Sequence, residues 1–261
     1  PDVEIAGRTV HLAVSSGDTG VLLLLALASF GVYSLVLAGY SSNSKWSMMG
    51  SIRASAQMIS YELALTLAVV AALIPTQSLR LDAVVAYQQG FWLPFVPKWS
   101  VFPQIVGFFV FLVAAFAETN RLPFDLSEAE SELVAGYHTE YGGMRFALFM
   151  MGEYMSMAVL SALASTLYFG GWSLPGVDVA ASGAWIGGIL PAALDPEVAV
   201  AVGTGLVGMG ILVAKIFAFM LLFVWIRWTF PRFRYDQLMR LGWKLLLPLA
   251  VFNLIAVAAM T

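Results

Sequence analysis

Residues 198–228 read VAVAVGTGLVGMGILVAKIFAFMLLFVWIRW, 31 residues with two charges, Lys215 and Arg227. A helix rises about 1.5 Å per residue, so about 20 apolar residues cross a hydrocarbon core about 30 Å thick. This stretch is long enough to cross and to tilt. It is too long and too evenly apolar for a barrel strand, which alternates over roughly 10 residues. Working outward, similar apolar runs occupy residues 19–40, 53–74, 100–118, 145–169 and 243–260. The expected fold is therefore all-α, a polytopic transmembrane helix bundle of six spans that forms a single integral membrane domain over residues 1–261. Residues 179–194 are also apolar, but they hold several glycines and Pro191 and are expected to be a loop near the membrane surface. No internal repeat and no low-complexity tract interrupts this pattern.

Composition agrees. Hydrophobic residues make up 60% of the chain and charged residues 11%, against about 25% charged in soluble domains. That excludes a water-soluble globular enzyme, and the high apolar content excludes disorder. With no cysteine, the chain itself holds no disulfide, no Cys-bound zinc and no iron–sulfur cluster. A net charge of −3 leaves no basic surface for nucleic acid. Lys and Arg set the orientation. Lys45, Arg53, Arg121, Arg145, Arg227, Arg232, Arg234, Arg240 and Lys244 follow the odd-numbered spans, whereas Arg8, Arg80 and Lys98 lie on the other side. The larger set marks the cytoplasmic side, with both ends of the chain outside. The polar opening segment, residues 1–18, lacks the features of a signal peptide, and the chain reads as starting partway through a larger protein.

Three ionisable groups fall inside the spans: Glu62, Glu153 and Lys215. Such groups are costly in lipid and usually face protein or water. Glu62 lies nine residues past Arg53, Glu153 eight past Arg145, and Lys215 twelve before Arg227. These offsets correspond to roughly 13, 12 and 18 Å of helix, near the middle of the bilayer in each case. One layer thus receives titratable groups from three helices, as a proton path requires. Buried ion pairs holding the bundle together are the plainer alternative, although such pairs stabilise poorly.

The segment between spans three and four, residues 118–145, is a second anomaly. From Glu118 to Glu153 it holds Glu118, Asp125, Glu128, Glu130, Glu132, Glu140 and Glu153 against Arg121 and Arg145. Like charges this dense titrate as a coupled set. Asp125 is placed to cap a helix carrying Glu128 to Glu132, and acids near such an N-terminus also complement its dipole. A solvated acidic loop or a docking surface for a basic partner remains the plainer reading. Continuity with two spans through Glu118 and Glu153 favours a conduit. His138 reads as a pH-sensitive group or a hydrogen-bonded loop histidine. Neither His11 nor His138 has metal-site spacing. Lys45, Arg53 and the arginines of 232–240 mark the headgroup interface, and Trp172, Trp228 and Trp243 the aromatic belt.

The run from Ala117 to Tyr141, AETNRLPFDLSEAESELVAGYHTEY, closely resembles the signature of one membrane-subunit family of respiratory complex I, the proton-pumping NADH:quinone oxidoreductase. The family is called the H subunit in bacteria and subunit 1 elsewhere. Similar to it as well are GYSSNSKWS at 39–47, RASAQMISYE at 53–62, Gly152-Glu153-Tyr154 and Arg234-Tyr235-Asp236-Gln237. The resemblance covers essentially the whole chain. It implies a non-redox subunit of a multi-subunit translocase in an energy-transducing membrane such as the bacterial inner membrane. Its substrate would be ubiquinone or menaquinone, with FMN and iron–sulfur clusters in partner subunits. By motif position it assigns Glu62, Glu118, Glu128, Glu130, Glu132 and Glu153 to an acidic proton path, and Lys215 falls where the family tends to carry a lysine. It places Arg121, Phe124 and Asp125 at the quinone cavity, and Arg53 is expected there with them. The partners implied are the other membrane subunits, the quinone-site subunits of the hydrophilic arm, and lipid. The family has eight spans. The six found here suggest that the two N-terminal ones, which help frame the quinone entrance, are missing. Homologous subunits of membrane-bound hydrogenases and F420H2 dehydrogenases resemble this chain as well. A stand-alone ion-coupled transporter would show inverted repeats, which are not found, and a plain membrane anchor leaves the ionisable layer without a reason.

Overall fold

The computed structural model describes residues 2–5, 8–11, 18–93, 96–121, 123–125, 136–188 and 196–260. They are nearly all helical. The helices are α1 (Gly20–Ser41), α2 (Lys45–Leu73), α3 (Leu81–Tyr87), α4 (Ile105–Glu118), α5 (Met144–Tyr168), α6 (Val179–Gly187), α7 (Pro196–Thr229), α8 (Tyr235–Arg240) and α9 (Leu247–Met260). A π-helical turn, Leu241–Leu246, joins the last two. Two small antiparallel ladders complete the description, β1 (Asp2–Ile5) with β2 (Arg8–His11) and β3 (Phe91–Leu93) with β4 (Val96–Pro97).

Five helical segments are long and apolar enough to cross a membrane: Gly20–Ser41, Lys45–Thr76, Met144–Tyr168, Val198–Thr229 and Tyr235–Met260. The sixth expected span is shorter. Helix α4 has 14 residues, about 21 Å, because residues 100–104 form turns ahead of it. Helix α2 starts eight residues before the expected boundary. Lys45 to Ile52 read as polar loop in isolation, but the face carrying Ser47, Gly50 and Ser51 is buried. Ser47 Oγ donates to Tyr137 O at 2.7 Å. A Cβ on Gly50 would sit 2.9 Å from the backbone of Gly136, so only glycine allows that approach.

The chain forms two compact units. One comprises Pro1–Val21, Thr76–Pro103 and Ser161–Phe219, and the other Leu22–Pro75, Gln104–Leu160 and Met220–Thr261. Within the first, the expected loop at 179–194 is corrected over its described part, which is helix α6. Asp178 caps it by accepting from Ala180 N and Ala181 N at 2.9 and 3.4 Å. Its glycines do not break the helix but pack it. A Cβ on Gly183 would lie 2.3 Å from the side chain of Thr204, one on Gly187 2.8 Å from Ala199 O, and one on Gly203 2.1 Å from Gly183 O. Small residues four apart on α6 and α7 bring the two backbones together, the usual means of helix association in lipid.

In the second unit α2 packs against α4 and α9. Gln104, at the N-terminus of α4, donates to Ala71 O at 3.1 Å. Gly107 leaves room for Asn253, whose Nδ2 lies 2.7 Å from where a Cβ would stand. Tyr61, fully buried, donates to Leu238 O at 2.9 Å. Trp243 Nε1 donates to Ser60 Oγ at 3.2 Å. Phe116 and Phe223 stack their rings 4.1 Å apart.

Candidate functional site

The site in the second unit is built around the end of α4. Helix α4 stops at Glu118, and Asn120 follows in the left-handed region with φ 48°, a conformation asparagine adopts more readily than most side chains. Gln57 of α2 holds this turn. Its Nε2 reaches Ala117 O at 2.8 Å, Phe124 O at 3.0 Å and Asn120 Oδ1 at 3.3 Å. Phe124 is clamped between Tyr61 and Phe233, with ring centroids 5.9 and 5.6 Å away. Asp125, buried beside it, pairs with Arg232 at 3.3 Å.

Three acids expected from the sequence come into this unit. Glu62, half-buried on α2, accepts a hydrogen bond from Ser29 of α1. Glu118 is buried, and its Oε2 has no hydrogen-bond partner among the described residues. It interacts electrostatically with Glu62. Glu153 of α5 is held from two sides. Tyr137 donates to Oε1 at 3.1 Å, and Arg121 lies 3.2 Å from Oε2 without hydrogen-bond alignment. The Arg121 guanidinium also stacks 4.5 Å from the ring of Tyr154.

Glu118 and Glu153 line one cavity of about 520 Å³ together with Tyr137, Tyr141 and Arg145. Its apolar wall comes from Leu35, Met58, Leu148 and Phe149. Arg53, Arg121, Phe124 and Asp125 are not among the lining residues described. Arg121 reaches the site through Glu153, whereas Arg53 sits 5.6 Å from the ring of Tyr235. Glu140 is exposed. Glu128, Glu130 and Glu132 lie outside the described residues. Lys215 belongs to the other unit, where its partners are backbone carbonyls.

His138 stacks on Tyr137 and packs against Phe146, with centroids 4.9 and 5.3 Å away. Burial holds its imidazole below the usual histidine range, partly opposed by the charge of Asp125. Sequence reasoning missed Ser29, Gln57 and Tyr137. Tyr137 stood beside His138 in the quoted motif. Gln57 was detectable only as an amide in an otherwise small or apolar helix face.

These residues define an integral membrane protein of the polytopic helical class, with several carboxylates enclosed between its helices. The chain matches the NADH dehydrogenase family over residues 5–258 and belongs to that family. It is similar to the NADH-quinone oxidoreductase H subunit of Leptospira biflexa, 45% identical over 244 residues, which cover 94% of this chain and 62% of the relative. The H subunit of Protochlamydia amoebophila is 43% identical over 259 residues, 99% of this chain and 69% of the relative. NADH-quinone oxidoreductase subunit 8 of Rhodothermus marinus is 47% identical over 247 residues, 95% of this chain and 69% of the relative. The chain thus spans about two thirds of the length of these relatives.

Proposed function

We propose that this chain works as the membrane subunit of a proton-translocating NADH:quinone oxidoreductase in a bacterial inner membrane. It contributes part of the quinone tunnel and the acids that couple quinone reduction to proton movement. The redox centres, FMN and iron–sulfur clusters, belong to partner subunits, and the quinone is the substrate. The observation that carries this reading is the shared cavity of Glu118 and Glu153, with Arg121 of the intervening turn set against Glu153. A cavity with an apolar wall and a few convergent polar groups suits an amphipathic ring-and-tail ligand. A change of charge beside this turn would be felt by Arg121 and so by Glu153. Protonation would then pass among Glu153, Glu118 and Glu62, fed from the cytoplasmic side by Glu128, Glu130 and Glu132.

The test uses the full-length protein in its native complex in sealed membrane vesicles. Glu118→Gln and Glu153→Gln should each lower NADH-driven quinone reduction or proton uptake while the complex still assembles. Unchanged reduction and uptake in both variants would remove the two acids from the mechanism. Isolation in mild detergent separates the electron donors. Flavin and iron–sulfur subunits should accompany the chain, whereas a nickel–iron hydrogenase in their place would keep the fold and overturn the donor.

A further inference from the structure

The sequence puts Lys215 with the midplane acids as a proton carrier, but its surroundings are of another kind. Helix α5 ends at Tyr168 and turns through Gly170 and Gly171, both with positive φ, 73° and 53°. The last carbonyls of a helix have no partner within it, and in lipid no water replaces one. Two side chains from elsewhere in the same unit satisfy this end. Gln88, buried, donates to Thr166 O at 3.1 Å and Leu167 O at 2.8 Å and accepts from Gly170 N at 2.8 Å. Lys215 Nζ donates to Phe169 O, Gly171 O and Ser173 O at 2.7, 2.7 and 2.6 Å. An ammonium has three protons, and each has its own acceptor here. Among the described residues no carboxylate lies within 4.0 Å of Nζ. The ring of Trp99 lies 5.8 Å from it.

We infer that Lys215 is a positioning residue, a fixed ammonium that clamps the end of α5 and its following turn to α7, and that it does not carry protons. Losing a proton would leave a neutral amine with two donors for three carbonyls, so the cradle holds the charged form. The negative end of the α5 dipole favours the same state. The inference stands on this geometry and not on the proposed function. Only the pumping arm of its test uses that function.

The full-length protein in its native complex carries Lys215→Met, Lys215→Gln or Lys215→Arg. Gln keeps two donors without a charge, and Arg keeps charge and donors but does not release a proton at working pH. The abundance of assembled complex and its heat resistance are measured first. Proton uptake per electron is then measured in every variant that assembles. The clamp requires Met to lower assembly several-fold. It also requires any Gln or Arg variant that assembles to keep the wild-type ratio. Failure of all three to assemble also supports it, since a carrier is replaceable without loss of the complex. Normal assembly of Lys215→Met would overturn the clamp, as would any assembled variant with a lowered ratio.

Discussion

Gln57→Leu tests whether one buried amide holds the turn that carries the site. The side chain is fully buried, and the two protons on Nε2 serve three acceptors at 2.8, 3.0 and 3.3 Å. Leucine keeps the volume and removes both protons, so the carbonyls of Ala117 and Phe124 lose this donor. A net hydrogen bond is worth roughly 1 kcal/mol, and leaving a buried acceptor bare costs about 1–3 kcal/mol more. Measured values between membrane helices average nearer 0.6 kcal/mol. The expected loss for the pair is about 2 kcal/mol, with the lower membrane values already discounted. For a domain of this size that is a fall of about 4–8 °C in melting temperature. The assay is stepwise heating of the full-length protein in its complex, with this chain followed as it leaves the folded fraction. A Gln57→Leu variant that melts within about a degree of the wild type would refute the reasoning.

Other perturbations reach different parts of the molecule. Gly203→Val places a Cβ 2.1 Å from Gly183 O and should cost about 1–3 kcal/mol or more by overpacking. Gly210→Ala, where a Cβ meets nothing within 4 Å, should be neutral or slightly stabilising, and heat resistance of the two compares them directly. Tyr137→Phe removes one donor from Glu153 and leaves Arg121 in place. A bond worth roughly 1 kcal/mol predicts about a fivefold fall in quinone-reductase turnover, and unaltered turnover would show the hydroxyl to be idle. His138 is held below the usual histidine range by burial, so the unfolded chain binds the proton more readily. Stability is therefore full at high pH and is lost as pH falls through about 6.5, the unfolded value. Melting curves from pH 8 to 5 should show a shallower acid-side decline for His138→Asn, and parallel curves would sink that assignment.

What the sequence made legible is what burial in lipid dictates. Long apolar runs must be helices because only helices and closed barrels satisfy their own backbone there. The runs led by 198–228 accordingly appear as helices, with Glu62, Glu153 and Lys215 inside them. Ends and packing were harder to see. Glycines in 179–194 looked like breaks because α7, the partner that makes them a packing face, is invisible in a local window. The early start of α2 was hidden for the same reason, since Ser47 and Gly50 are polar or small until the turn at Tyr137 covers them. The role of Lys215 was not legible at all. A lysine at mid-span fits a proton carrier and a helix clamp equally well, and only the position of three carbonyl oxygens separates them.

One helix explains why the site lies where it does. Over its most apolar window α2 is 56% buried, against 11–22% for the other long helices. It is also the span with the most polar side chains to place: Ser47, Ser51, Ser55, Gln57, Ser60 and Tyr61 all lie on its covered face. A helix this polar is costly against lipid and favourable at the centre of a bundle. Once central, it meets every part of the site in its unit. Ser47 reaches the turn of Tyr137, Gln57 the turn after Glu118, Tyr61 the chain at Leu238 and the ring of Phe124, and Glu62 the hydroxyl of Ser29. The groups around the cavity thus share one rigid support. Displacing α2 by a single turn would break all of these contacts together, whereas α1, which faces outward with Leu23, Leu27, Phe30 and Leu37 exposed, tolerates apolar exchange at those positions. Substituting the exposed face of α1 with other apolar residues should leave quinone reduction within about twofold of wild type, the range expected of surface changes. Any comparable set of changes on the covered face of α2 should abolish it.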